Sequence, residues 1–137
     1  MAYAQWVVIR IINSFRKGNI KVQNAKVNWG KFHKNGSKDE ELAADKINSI
    51  VIAPGANADV SSCGRSDASS GTEGSLDLYE DDTKICTIYW TCPWGSKDNN
   101  IQIQERNSQA GYMVSVGAFN ANSGALGSVD VEVAKKG

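Results

Sequence analysis

The 137-residue sequence predicts an all-β chain folded as a single-domain antiparallel two-sheet β-sandwich, and three observations carry that expectation. Strand-like runs recur about every ten to fifteen residues between clusters of Gly, Asn, Asp and Ser, the spacing of a sandwich or small barrel. Helix signals are scarce, with only residues 39–46 suited to a helical turn. Alternating strand–helix–strand units are absent, so the sheets are expected to be antiparallel. A closed small barrel is the alternative.

Residues 3–12 read as the first strand, apolar on both faces at its centre and therefore central in its sheet. Residues 13–19 form a turn. Residues 20–29 read as a second strand whose phase shifts: Ile20 and Val22 share one face, Ala25, Val27 and Trp29 the other. One extra residue near Gln23 and Asn24 restores the register, which predicts a β-bulge there. Lys34-Asn35-Gly36 supplies hairpin-turn chemistry. Residues 47–53 read as a short strand ending at Pro54-Gly55, residues 59–63 as another, and residues 64–74 as a loop of small and polar residues. Residues 74–79 alternate through Leu76 and Leu78 and turn at Glu80-Asp81-Asp82. Residues 84–91 alternate on both phases, with Ile85, Thr87 and Tyr89 against Cys86, Ile88 and Trp90. Residues 100–106, 112–119 and 128–134 complete the set. With no linker and no repeat, one domain spanning residues 1–137 is expected.

A chain of this length hides roughly two-thirds of its unfolded surface, enough for one core without staples. Its 15 basic and 15 acidic residues leave no net charge. That balance excludes nucleic acid as the main partner and argues against a polybasic grip on anionic lipid. No apolar run approaches the ~18–20 residues of a spanning helix, and residues 1–5 carry no basic region or long apolar stretch of a secretory signal. Synthesis in the cytoplasm is expected, with any extracellular action reached by another route and confined to membrane surfaces. Cys63, Cys86 and Cys92 make an odd count, so at least one thiol is unpaired. All three free is the first reading and a Cys63–Cys92 bridge the alternative. Asn35-Gly36-Ser37 fits a glycosylation acceptor but has no secretory route to go with it.

The catalytic inventory is thin. His33, the only histidine, lies between lysines before a turn and reads as an exposed surface residue rather than a general base. There is no Gly-x-Ser-x-Gly elbow, and His33 with the three cysteines lacks the spacing of a zinc site. Gly64-Arg65-Ser66-Asp67 and Gly95-Ser96-Lys97 do not match a phosphate-binding P-loop, although the latter suits a lipid phosphate held by loop amides and an ammonium. Asp77, Asp81 and Asp82 read as a solvated turn rather than a calcium site. The expectation is a protein that is not an enzyme and uses no metal or cofactor.

The aromatic residues are the informative ones. Trp6 and Trp90 lie within apolar strands and read first as core. Trp29 and Trp94 each precede a glycine near a lysine. A ring with a polar tip suits the level of lipid head groups, and its face attracts an ammonium. Alternation puts Tyr89 and Trp90 on opposite faces, and Tyr89 is assigned to the binding face because its phase-mates include Thr87. Trp94, Tyr89 and Lys97 together have the chemistry of a phospholipid head-group site.

The segments Met1-Ala2-Tyr3-Ala4-Gln5-Trp6, Trp29-Gly30-Lys31, Cys63-Gly64-Arg65-Ser66-Asp67-Ala68, Cys92-Pro93-Trp94-Gly95-Ser96-Lys97 and Ser123-Gly124-Ala125-Leu126-Gly127-Ser128 resemble the aegerolysin family over essentially the whole chain, closest to haemolysin-type members of filamentous moulds. The resemblance implies a sandwich shaped like the actinoporins. It implies binding of sphingomyelin with cholesterol, ceramide phosphoethanolamine or similar raft-type lipids, with pore formation alongside a partner of the membrane-attack-complex/perforin class and assembly of oligomers on membranes. Carried onto this sequence, it implies that Trp6, Trp29, Tyr89, Trp94 and Lys97 contact or border the lipid. Where mushroom members have Ala-Ala-Glu-Gly-Thr, this chain has Ala68-Ser69-Ser70-Gly71-Thr72, so Ser70 replaces an acidic residue that helps choose the head group. Glu73 is near in sequence but, in an extended segment, would point away.

Three functional classes follow. The first is the lipid-recognising half of a two-component cytolysin. The second is a stand-alone haemolysin that frees its N-terminal strand at the membrane. The third is a lectin-like or lysolipid-binding interaction protein.

Overall fold

The structure is a computed structural model describing residues 2–95 and 98–136. The strands are β1 (Trp6–Asn13), β2 (Ile20–Trp29), β3 (Lys31–Lys34), β4 (Ser37–Leu42), β5 (Val51–Ile52), β6 (Asn57–Cys63), β7 (Thr72–Glu80), β8 (Thr83–Cys92), β9 (Asn100–Gln104), β10 (Tyr112–Val116) and β11 (Gly127–Lys135), with a short helix α1 (Ala44–Asn48). They form two packed sheets, one ordered β10-β11-β1-β6-β3-β4 and the other β5-β2-β7-β8-β9. This is the sandwich that alternation predicts, not a closed barrel.

The first strand is central in its sheet, as its two apolar faces require. Val7, Ile9 and Ile11 point into the core, while Trp6, Val8 and Arg10 face outward. One of its pairings departs from the antiparallel expectation: β1 runs parallel to β11 and antiparallel to β6. A parallel pair needs a long crossover, and here the rest of the chain supplies it, because β1 and β11 are its first and last strands.

The bulge in β2 falls where the phase shift puts it. Register slips between Gln23 and Lys26, and Asn24 adopts φ +55°. A bulge frees a backbone donor from the ladder. Here the freed Ala25 N–H reaches the Asn48 Oδ1 at the end of α1, 2.9 Å away. That contact explains a correction. Residues 47–53 are not one strand; Ile47 is buried on α1, and only Val51–Ile52 pair with β2. The β3–β4 hairpin around Asn35-Gly36 extends the six-stranded sheet through strands that the pattern does not reveal.

The core between the sheets centres on Trp90, fully buried and edge-on to Phe32 with ring centroids 5.9 Å apart. A buried polar chain also crosses it. The Trp90 indole N–H donates to the Thr72 hydroxyl (3.2 Å), which lies 2.6 Å from the Ser62 hydroxyl, and Ser62 donates to the Lys31 carbonyl (2.9 Å). Since Ser62 spends its one hydrogen on Lys31, Thr72 must donate to Ser62. Every member is satisfied, and the chain ties β8 and β7 to β6 and β3 at one end of the sandwich. Cys63, Cys86 and Cys92 are all free and buried. Among the described residues, no helix is long and apolar enough to cross a membrane.

Candidate functional site

Strand β7 decides what faces the solvent at that same end. Thr72, Gly74, Leu76 and Leu78 point inward, which leaves Glu73, Ser75, Asp77 and Tyr79 on the outer face. Register then places Trp29 of β2 and Thr91 of β8 on either side of Glu73, and Tyr89 beside Ser75. Cross-strand partners share a face, so Trp29, Glu73 and Tyr89 form one surface. The Tyr89 hydroxyl donates to Glu73 Oε2 at 2.6 Å, and the Asn28 amide donates to Oε1 at 2.9 Å. Burial and the adjoining Glu73 carboxylate both push the Tyr89 phenol above its ordinary pKa. Glu73 has no cationic partner within salt-bridge distance among the described residues.

Two glycines make this surface. Gly74 lies under the Trp90 ring, where a Cβ would collide with the indole and with the Lys26 carbonyl. Gly71, at φ +71°, presses the 64–71 loop onto the end of β8; a Cβ there would strike the Cys92 carbonyl and crowd the Trp94 amide. Half-buried Ser70 immediately precedes this contact. Trp29 and Trp94 are 48% and 41% exposed, among the few large apolar side chains left to solvent.

The turn at Gly71 also corrects the reading of Glu73. Counting by twos from Ser70 turns Glu73 away from the site, but a left-handed residue between them breaks the count, and the Glu73 carboxylate meets Tyr89 instead. Glu73 and Asn28 are the functional candidates that sequence reasoning missed. The signal available was the outward phase that Glu73 shares with Ser75 and Asp77.

The remaining residues fall elsewhere. Lys97 lies outside the described residues. Trp6 is at the same end of the sandwich but on the opposite outer face, that of the six-stranded sheet, so it does not join Trp29 and Tyr89. His33 is not exposed, as its lysine neighbours suggested. It is 4% exposed because β3 lies between β4 and β6, and burial holds its imidazole below its ordinary pKa. The thiols are buried as well, and that burial raises Cys63 and Cys92 and pushes Cys86 up to about 12. What the surface can do chemically is receive a positive charge: a hydrogen-bonded carboxylate beside the exposed indole of Trp29.

Three comparisons set this geometry among known proteins. A family model described as Aegerolysin matches residues 4–136. Asp-hemolysin of Aspergillus fumigatus is 48% identical over 135 residues, covering 98% of this chain and 96% of that protein. Ostreolysin A6 of Pleurotus ostreatus is 40% identical over 140 residues, covering 100% and 99%. Among solved structures, that of RahU protein in complex with a Tris molecule superposes with a TM-score of 0.92 at 33% identity, covering 99% of this chain and 98% of that one.

Proposed function

The chain belongs to the aegerolysin family, and from that premise we propose that it recognises a sphingolipid head group at a membrane surface, as the targeting component of a two-component pore-forming cytolysin. The observation that carries this is the Glu73 carboxylate, held by Tyr89 and Asn28, lacking a cation among the described residues and lying beside Trp29. The ammonium of a sphingomyelin or ceramide phosphoethanolamine head group suits that carboxylate, with Trp94, Ser70 and, from the sequence alone, Lys97 as the further candidate contacts. The acidic residue that Ser70 lacks is supplied from β7 instead. Trp29 and Trp94, exposed at one end, suit the interfacial level of a bilayer. Binding, not catalysis, is the role for which this inventory is equipped.

The division of labour with a membrane-attack-complex/perforin-type partner rests on β1. A stand-alone haemolysin, the reading favoured by the name of the Aspergillus fumigatus relative, would have to free its N-terminal strand. Here β1 is laddered on both sides, from Val7 to Asn13 against β11 and from Trp6 to Ile12 against β6. Releasing it would break both ladders and expose Val7, Ile9 and Ile11. Co-sedimentation with vesicles of sphingomyelin/cholesterol, ceramide phosphoethanolamine/cholesterol and phosphatidylcholine alone tests the lipid. Selective retention by one sphingolipid mixture is expected, and equal recovery from all three would refute head-group recognition. Dye release by the protein alone at nanomolar concentration would refute the targeting role.

A further inference from the structure

The outer face of the six-stranded sheet carries a concavity that the head-group reading does not use. It has a volume of about 490 Å³ and is lined by residues that include Trp6, Val8, His33, Lys38, Asp39 and Ser128. That size falls within the range of small-molecule sites. We infer that this groove binds an uncharged, hydroxyl-rich ligand, the pyranose of a glycolipid or of a free sugar, with its apolar face on Trp6.

Three features of the groove specify such a ligand. The first is charge. Lys38 and Asp39 both line the wall and Lys31 stands behind the Tyr3 hydroxyl, so the groove mixes charges of both signs instead of presenting one charge alone. Lys38 Nζ lies 5.5 Å over the Trp6 ring and spends one hydrogen on the Tyr3 carbonyl at 2.8 Å, which leaves two of its three donors. Asp39 is kept in place by the Tyr3 hydroxyl at 3.0 Å, and that hydroxyl in turn accepts from Lys31 at 2.8 Å. The wall therefore offers both donors and acceptors, which is what a ring of hydroxyls needs.

The second is His33. Its Nδ1 lies 2.8 Å from the Lys34 carbonyl, which can only accept, so the proton resides on Nδ1. Nε2 then presents a lone pair, and it is buried with no partner. Burial, the first cause of its lowered pKa, keeps the ring neutral at pH 7. Buried acceptors are nearly always paired, and a ligand hydroxyl is the donor missing here. The third is the floor, where Trp6 and Val8 supply apolar surface next to those polar groups. Sugars present C–H faces that suit an aromatic ring.

Nuclear magnetic resonance tests the assignment on the intact protein, with glucose, galactose, mannose and N-acetylglucosamine as probes at millimolar concentration. At least one sugar is expected to shift the Trp6 indole and His33 ring signals saturably. Asp39→Ala, a change at an exposed residue, is expected to weaken that response about tenfold, while Glu73→Gln leaves it intact. Vesicles of phosphatidylcholine with and without glucosylceramide separate the sources. Retention that depends on glucosylceramide, and that Asp39→Ala weakens while Glu73→Gln does not, supports the site and assigns it to lipid even when free sugars are silent; retention that only Glu73→Gln weakens counts against it. No saturable shift together with no such retention overturns the inference. So does inorganic phosphate moving the same signals more tightly than any sugar, which would mark an anion site. Shifts confined to Trp94 overturn it too.

Discussion

Glu73 and Asp77 stand four residues apart on β7, on the same outer face, and each is held by one hydroxyl and one asparagine amide. Asp77 takes the Thr87 hydroxyl at 2.6 Å and the Asn24 amide at 2.9 Å; Glu73 takes the Tyr89 hydroxyl at 2.6 Å and the Asn28 amide at 2.9 Å. The difference is the cation. Lys84 lies 3.6 Å from Asp77 and is held there by Glu105, whereas Glu73 has no such neighbour among the described residues. The company also differs: Asp77 sits among Gln104, Lys84 and Asn24, and Glu73 beside Trp29 and Tyr89. The same acceptor motif is closed at one end of the strand and open at the other. A closed carboxylate contributes to the fold; the open one, beside the exposed Trp29, is the one the proposed function assigns to a ligand.

The sharpest way to break this contrast is to close the open end. Glu73→Lys is expected to lower vesicle binding at least ~30-fold, equivalent to about 2 kcal/mol, because it places a cation where the ammonium would go. The melting temperature should fall modestly, because the Tyr89 hydroxyl and the Asn28 amide lose their acceptor at about 1 kcal/mol, so affinity is read where both proteins remain folded. Co-sedimentation on the best lipid of the panel reads the effect, and unchanged affinity would remove Glu73 from the site. The converse change is Asp77→Ala. It strips partners from Thr87, Asn24 and Lys84 and is expected to cost about 1–2 kcal/mol of stability in urea unfolding, with lipid affinity unchanged. Lost affinity at full stability would show that the two carboxylates do not differ in kind.

What the sequence shows and hides follows the same physics. Strands that bury one face, such as β7 and β8, are legible through Leu76, Leu78, Ile88 and Trp90, because alternation records burial. The β2 bulge is legible for the same reason, since a phase shift can be seen along one strand. The β3–β4 hairpin is not. Lys38, Asp39, Glu40 and Glu41 fill an edge strand with charges that discourage further pairing and erase the alternation. The parallel β1–β11 ladder joins the two extremes of the chain, a pairing that no local pattern encodes. In the site, Trp29, Tyr89 and Trp94 announce themselves by residue type. Trp6 looks equivalent to them, yet a strand's phase says which face a residue takes within its sheet and not which sheet it belongs to. Glu73 was hidden by a single dihedral, that of Gly71.

Trp29→Ala sharpens the contrast more gently. The ring is 48% exposed, so its loss leaves little core behind, and lipid affinity is expected to fall about fivefold, near 1 kcal/mol, at unchanged melting temperature. A large loss of stability would instead mark Trp29 as a packing residue.

The smallest expected effect is on alkaline stability. The folded protein raises the Tyr89 phenol above its ordinary pKa of 10.0, through burial first and then through Glu73. A phenol raised in this way favours the native state fully below its unfolded pKa, and the contribution fades as pH climbs through the folded one. Tyr112, beside Glu80, and the buried thiols act in the same direction, so the slope of any one curve is not Tyr89 alone. The difference between wild type and Tyr89→Phe isolates it. Melting temperatures of the two proteins should keep a constant offset up to about pH 9 and converge or cross as pH rises further, with wild type losing more. Parallel curves throughout would mean that the Tyr89 hydroxyl and the Glu73 carboxylate are not coupled in solution, and that the open end of β7 holds its carboxylate more loosely than the closed end does.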